Sequence, residues 1–480
     1  MDRNTYSEGQ SMKPIYYVTG QAGTGKTTWL MDKALELSPT FITAKHHSLL
    51  AITWMHGARR RIQKKLRDSL NDFSFSVSTI DGFALSILNR WRTTLGYSLP
   101  IQAVNSESDF TESLFGTEAS FERIRQKSTL LLHSLTIQRI VNESYPLILI
   151  DEFQDCHGSL LEFVKALSEC SVLLLAADEF QLLDSTIVGC PGLAWIHDLQ
   201  GQVSVQHEEL TEFHRTSNQN ILEAARCLRE NTPAKKQTIP VVCCPRHQAA
   251  AWKIIDHLVL GWYSPPCMGT CALICPSYDS FLRNVLDSCR SQLQKRNRDP
   301  IRWHEEHSIE EAQARTASNL GLTTATRESD CSWQVPSGPL DGFSTCVINR
   351  VQRFARLRGI NTISHRLVSR HADMAVHEQR AYRSPSASRT VTTVHGAKNR
   401  EFSSVFILWN PFSVRKWNSE DQRRLLYNAI TRSAHYCMVL VLGDENKARK
   451  DPVLALLGPP ESAFSQKKTK KEKRTKRKVS

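Results

Sequence analysis

The stretch IYYVTGQAGTGKTTWLMDKALEL, Ile15–Leu37, decides the fold of this 480-residue chain. Its opening residues, Ile15–Thr19, are a short run of strand-forming side chains. They lead into Gly20-Gln-Ala-Gly-Thr-Gly25-Lys26-Thr27, and Thr28–Leu37 then takes up helical spacing. Strand, G-x-x-x-x-G-K-T and helix in that order predict a phosphate-binding loop opening a parallel α/β domain. The residue types suit the chemistry. Gly20, Gly23 and Gly25 let backbone N–H groups turn inward around phosphate oxygens, and the helix N-terminus adds partial positive charge. Lys26 is spaced to reach the β- and γ-phosphates of a nucleotide, the Thr27 hydroxyl suits a Mg²⁺ shell, and Thr28 completes the nucleotide-binding set.

Two more apolar runs extend the sheet. Tyr145-Pro-Leu-Ile-Leu-Ile150 ends in Asp151-Glu152-Phe-Gln154-Asp155, and Val172–Ala177 ends in Asp178-Glu-Phe-Gln181. Acidic residues at the carboxyl ends of buried parallel strands lie where open α/β sheets bind nucleotides. Asp151 suits the Mg²⁺ shell, Glu152 suits a catalytic role in orienting and polarising an attacking water, and Gln181 can sense a γ-phosphate. Helical stretches alternate with these strands, as a doubly wound sheet requires.

Composition excludes other classes. Hydrophobic residues make up 40% and charged residues 23%, which suits a folded soluble chain of about three domains. No apolar run approaches the roughly 20 residues of a membrane span, and the charged start MDRNTYSEGQ lacks a signal-peptide core. A cytoplasmic protein is expected, or a nuclear one in a host with a nucleus, with no membrane partner. The net charge of +13 is uneven: Gln466–Ser480 carries nine Lys/Arg against one Glu, leaving only +5 for the preceding 465 residues. That tail is expected to be disordered, as a solubilising segment, an arm for polyphosphate or nucleic acid, or a nuclear import signal in a host with a nucleus. The 13 cysteines are irregularly spaced and odd in number, so no disulfide framework is expected. Cys243, Cys244, Cys267, Cys271 and Cys275 lack a C-x₂-C pair, and Cys271 and Cys275 sit in an apolar strand-like run, so they read as reduced structural thiols rather than zinc ligands.

Beyond these strands the motifs resemble the UvrD/Rep-like branch of superfamily 1 DNA helicases. After the phosphate loop, Ala51-Ile-Thr53-Trp54-Met-His-Gly-Ala-Arg is similar to the family's A-L-T-F-T-N-K-A-A, and Ser78-Thr79-Ile-Asp81-Gly82-Phe83 to T-x-H-x-F. Asp151–Asp155 matches D-E-x-Q-D, and Leu210-Thr-Glu-Phe-His214-Arg215-Thr-Ser resembles L-x-x-N-Y-R-S. Thr393-Val-His395-Gly-Ala-Lys398-Asn399-Arg-Glu401-Phe402 resembles T-x-H-x-x-K-G-x-E-F, and Arg423–Ser433 resembles R-R-L-x-Y-V-A-x-T-R-A. The resemblance implies two RecA-like domains with ATP and Mg²⁺ in the cleft between them. It implies that Arg215 and Arg432 join Glu152 and Gln181 as catalytic residues, Arg432 from across the cleft. His214 and Glu401 would face the nucleotide, and Thr53, Trp54, Thr79, Thr393 and His395 would contact DNA. Trp54 equally suits a buried core, and Arg59–Arg61 with Lys64, Lys65 and Arg67 reads either as a DNA-facing or a solvated helix face.

The resemblance has departures. Gln10 is too close to Lys26 to read adenine, so nucleotide preference stays open. Asp184–Gly192 replaces the family's Y-x-F/W-R-G segment and removes a base-stacking aromatic, Asn399 stands where the family has Gly, and His214 where it has Tyr. The expected organisation is a first RecA-like domain at 1–265 with an insertion at about 90–144, and a second at 266–462 with an insertion at about 297–388. A basic tail follows at 463–480. Within the second insertion 312–342 reads as loop, and 347–371 as a basic, partly helical element for DNA or a partner. The expected function is a DNA-dependent ATPase working as a 3′→5′ helicase or translocase on single-stranded or tailed DNA. The alternatives are a DNA-sensing ATPase switch controlling a protein partner such as a nuclease, for example in anti-phage defence, and a non-hydrolysing nucleic-acid-binding scaffold.

Overall fold

The computed structural model describes residues 12–53, 62–63, 65–68, 73–104, 109–113, 116–199, 204–261, 269–306, 309–327, 329–382 and 388–463. Trp54, Arg59–Arg61, Lys64 and the basic tail lie outside them.

Strands β1 (Ile15–Gly20), β2 (Leu49–Thr53) and β3 (Phe75–Thr79) begin the first sheet. A small sheet of β4 (Ile101–Val104), β5 (Thr111–Ser113) and β6 (Gly116–Ser120) follows. The first sheet resumes with β7 (Leu147–Ile150), β8 (Val172–Ala177) and β9 (Val205–Leu210). Its order is β3-β2-β7-β8-β1-β9, parallel throughout. Strands β2, β7 and β8 are buried at every position because helices cover both faces, which is why their sequences are unbroken apolar runs. Successive side chains serve opposite cores. Ile15, Leu50, Ile52, Ile148, Ile150, Leu173 and Leu175 pack with Phe83, Phe163 and Val164, while Val18, Leu49, Ala51, Leu147, Leu149, Leu174 and Ala176 pack with Leu30, Met31 and Ala34 of the helix Lys26–Phe41. The register pairs Ile52 with Ile150, Ile150 with Leu175, and Thr19 with Ala177. The carboxyl ends of these strands therefore form one edge, which carries the phosphate loop, Asp151 and Asp178.

The stretch expected as the first insertion, about 90–144, holds the small sheet besides the helices Phe121–Leu132 and Leu135–Ser144. Strands of three to five residues are too short to announce themselves by alternation.

The second lobe takes β10 (Val241–Cys244) and β11 (Cys271–Cys275). Strands β12 (His304–Glu305) and β13 (Arg389–Thr393) follow in the chain. The lobe is completed by β14 (Phe402–Trp409), β15 (Ser433–Leu442) and β16 (Glu461–Ser462), in the parallel order β11-β14-β15-β10-β16. Helix Gln219–Glu230 buries Ile221, Ala224, Ala225 and Leu228 in this lobe's core with Val405, Ile407, Leu426 and Ile430. The lobe boundary thus falls between Leu210 and Gln219, upstream of the expected 265/266. The reason is that Val241–Cys244 is a four-residue strand that pairs with Val439–Leu442, a partner some two hundred residues away that local pattern cannot indicate. Cys243, Cys244, Cys271 and Cys275 are buried in these strands, and burial pushes the thiols of Cys243, Cys244 and Cys275 up.

Residues 302–392 form a compact unit of their own. Helices Gly342–Arg358 and His365–Tyr382 bury Val347, Val351, Ala355, Leu367, Val368 and Ala372. Trp333 donates its indole N–H to Leu320 O at 2.8 Å, and Arg327 pairs with Asp373 at 2.7 Å. Helix Ile309–Asn319 occupies part of the expected loop at 312–342. Its Ala residues favour helix, and Leu320 and Trp333 then tie down the polar segment that follows.

Candidate active site

Gly23 and Gly25 of the phosphate loop have φ near +90°, a region that side chains rarely enter. The chain segment after β9 seals this loop. His214 and Arg215 donate their backbone N–H groups to Gly23 O at 2.9 and 3.3 Å. A Cβ at Gly23 would stand 2.9 Å from Arg215 Cβ, one at Gly25 would stand 3.3 Å from the His214 ring, and one at Gly20 would meet Leu210 O at 2.8 Å. The glycines thus serve close approach as well as turning.

Helix Lys26–Phe41 directs Lys26 back over its own N-terminus, where Nζ donates to Gly20 O at 2.9 Å and Gln21 O at 3.0 Å. Burial lowers the Lys26 pKa, against the raising effect of Asp178, Glu152 and Asp151. Thr27 Oγ1 donates to Asp151 Oδ2 at 2.9 Å, while Thr28 is exposed and accepts from Lys65. Burial, and then the charge of Glu152, raise the Asp151 pKa to about 6. Burial would raise Glu152 too, but Lys398, Lys26 and Arg432 together hold its carboxyl below the usual value. Two adjacent carboxyls are thereby driven apart in proton affinity, the pattern that distinguishes their tasks.

Glu152 itself adopts a left-handed backbone, φ 58°, uncommon for a residue with a side chain. Gln154, fully buried, clamps the arrangement: its amide N–H bonds Glu152 Oε2, and its amide oxygen accepts from the Asp178 N–H at 3.0 Å. Gln181 is 4% exposed in the single turn Glu179–Gln181 that follows Asp178.

The second lobe completes the site. Arg432 is 2% exposed, donates Nε to Asn428 O at 3.0 Å, and leaves Nη2 buried without a hydrogen-bond partner. Burial and the neighbouring Arg215 lower its pKa to about 10, against the pull of Glu152. A desolvated guanidinium beside a carboxylate and a second guanidinium is primed for a further anion. Arg215 pairs with Glu401 at 3.1 Å and donates to Thr431 O at 3.0 Å. Lys398 pairs with Asp155, and Tyr427 Oη accepts from the Ala22 N–H at 2.9 Å within the phosphate loop. Asn399 adopts φ 62°, the conformation for which the family uses Gly.

Some of the expected strand-contacting residues also hold local structure. Thr53 is 1% exposed at the end of the buried strand β2 and presents little surface to a ligand. Thr79 accepts the Gly82 N–H at 3.0 Å as the cap of helix Ile80–Trp91, and Thr393 accepts the Gly396 N–H at 3.1 Å. His395 is exposed in the turn after β13, and Asp81 pairs with Arg125 at 2.6 Å. Gln154, Asp155, Lys398 and Tyr427 join the site from motifs whose other members carried the expectation. Asp178 and Arg229, bonded at 2.6 Å, had a weaker signal: the first is part of the strand-end pattern and the second carries none.

A family model for a UvrD-like helicase C-terminal domain matches residues 389–440, and an AAA domain model matches residues 5–186. Both matches support the resemblance to the UvrD/Rep-like superfamily 1 helicases. No curated protein matches the sequence. The two matches fall on the two RecA-like lobes and support a nucleotide-binding, helicase-type ATPase framework. Its residues fit a magnesium nucleotide, since the glycine cradle, the Thr27–Asp151 pair and the unpartnered Arg432 Nη2 are the donors and acceptors such a ligand needs. Thr27 and Asp151 would hold Mg²⁺, whose charge would offset that of the phosphates. No helix among the described residues is long and apolar enough to cross a membrane.

Proposed function

We propose that this chain is a DNA-dependent ATPase that translocates 3′→5′ on single-stranded DNA and unwinds tailed duplexes. The observation that carries the reading is Arg432, buried beside Glu152 and Arg215 with an unpartnered Nη2, on a different lobe from the phosphate loop. An arginine supplied in this way makes hydrolysis depend on lobe closure, and arginines of this kind accelerate hydrolysis by about 10³–10⁵. Glu152 orients the attacking water, Lys26 and the loop amides hold the phosphates, and Arg215, Gln181 and Glu401 report nucleotide state to the second lobe. His395 and Thr393, with Trp54, supply strand contacts, and cycles of closure and reopening move the strand.

The family resemblance alone supports the polarity. The test is displacement of a labelled strand from duplexes carrying a 3′ or a 5′ single-stranded tail. Displacement confined to 3′ tails agrees with the proposal; displacement from 5′ tails alone contradicts it. A second reading, an ATPase switch that senses DNA and controls a partner such as a nuclease, is favoured by Asp184–Gly192. That segment is held by an Asp184–Thr186 turn and projects a 95%-exposed Val188 in place of the stacking aromatic. DNA-stimulated hydrolysis with neither strand displacement nor streptavidin displacement from biotinylated strands selects this reading.

A further inference from the structure

Asp178 follows β8 with a fully buried carboxylate. Its Oδ1 accepts from Arg229 Nη1 at 2.6 Å and from the Phe180 N–H at 3.2 Å. Its Oδ2 accepts from Tyr427 Oη at 3.3 Å and lies 3.9 Å from Lys26 Nζ. Two cations therefore approach one buried carboxylate, and the guanidinium holds the hydrogen-bonding position while the ammonium bonds backbone carbonyls instead.

We propose that Arg229 is a positioning residue of the nucleotide site: supplied by the second lobe, it neutralises Asp178 and so keeps the Lys26 ammonium available to phosphate. The inference rests on the nucleotide-binding reading above and deepens it. A buried carboxylate that loses its partner is costly, and it recruits the next cation within reach. Here that cation is Lys26, one short movement away. A lysine ammonium drawn onto Asp178 contributes less to a β- or γ-phosphate. Arg229 is well placed to prevent this, because it lies in the last turn of helix Gln219–Glu230 and its guanidinium also stands 5.7 Å from the Phe180 ring. Arg423 and Arg424 approach the same ring at 5.6 and 5.9 Å, so Phe180 carries second-lobe cations to the edge of the phosphate loop.

The consequence is directional. With the lobes in contact, Asp178 is occupied by Arg229 and the phosphate loop keeps its charge. Parting the lobes removes Arg229, frees Asp178 to take Lys26, and loosens the grip on the β-phosphate. Product release is thereby tied to opening.

The test measures displacement of a fluorescent ADP analogue by ATP, ADP and AMP from the full chain and its Arg229→Ala, Arg229→Lys, Arg229→Ala/Asp178→Asn and Lys26→Ala variants. Arg229→Ala is expected to weaken ATP and ADP by at least about tenfold, the scale of one charge-assisted hydrogen bond. AMP, which lacks the phosphates Lys26 serves, should change little. Arg229→Lys should lose less, and the double variant, whose asparagine still caps the Phe180 N–H, should recover most of the affinity. Equal losses for AMP and ADP, or no recovery in the double variant, overturn the proposal as a merely structural effect. Should Arg229→Ala fail to fold, the comparison of Arg229→Lys with the double variant decides alone. If Lys26→Ala binds ADP as wild type does, the nucleotide-site reading itself fails; if only Lys26→Ala loses binding, the Arg229 proposal alone fails.

Discussion

Replacing Asp151 by Asn should stabilise the protein at neutral pH while destroying its magnesium-dependent activity. The carboxyl is 8% exposed and its pKa rises from 3.8 to about 6 on folding, chiefly through burial and then through Glu152. Between these values the folded state binds the proton more tightly than the unfolded chain, so stability falls as pH rises through that window. Once pH exceeds 6, the ionised carboxylate costs about two pKa units, or about 3 kcal/mol. The asparagine removes this cost without breaking the local bonds. Its carbonyl can accept the Glu152 N–H that Asp151 Oδ1 now accepts at 3.0 Å, and its N–H can donate to Thr27 Oγ1. The gain should therefore be about 3 kcal/mol at pH 7.5, about half that at pH 5 and under about 1 kcal/mol at pH 4. The assay is thermal or denaturant unfolding of wild type and Asp151→Asn at these pH values, without magnesium or nucleotide. Adding Mg²⁺ and ADP should then close the gap by stabilising wild type preferentially. No gain at pH 7.5, or a gain that grows as pH falls, would refute the reasoning.

Arg432→Lys should lower ATP turnover by about 10³ while leaving ADP affinity within a few-fold, because an ammonium lacks the planar fork that reaches two oxygens; steady-state phosphate release and ADP titration check this. Gln154→Leu leaves Glu152 and the buried Asp178 N–H without their partner and should cost about 1–3 kcal/mol in denaturant unfolding, with a parallel loss of turnover. Truncation after Ser465 removes +8 of the net +13 charge and should lower DNA affinity most at low salt, flattening the salt dependence while leaving turnover at saturating DNA unchanged. Loss of turnover at saturating DNA would mean the tail acts inside the motor.

The first lobe was legible because its central strands are apolar on both faces and each ends in a polar signature: Gly20–Thr27, Asp151–Asp155 and Asp178–Gln181. Strand β10 was not, since Val241–Cys244 gains its meaning only from pairing with β15. Hence the lobe boundary was expected too late. In the site, Lys26, Thr27, Asp151, Glu152, Arg215 and Arg432 could be named from motif spacing. The Gln154 bond to the Asp178 backbone N–H and the Arg229–Asp178 contact could not, because both join groups well apart in the sequence. Thr53 shows the converse. Motif position made it a strand contact, yet it ends a fully buried strand, and exposure is a tertiary property.

We propose a DNA-dependent ATPase with its catalytic groups split between two lobes. ATP turnover of the full chain with and without saturating single-stranded DNA, run beside Lys26→Ala and with RNA as a control, tests it most directly. Hydrolysis is expected to rise on adding DNA and to be abolished in Lys26→Ala. Hydrolysis that is absent, indifferent to DNA, or retained in Lys26→Ala would contradict it.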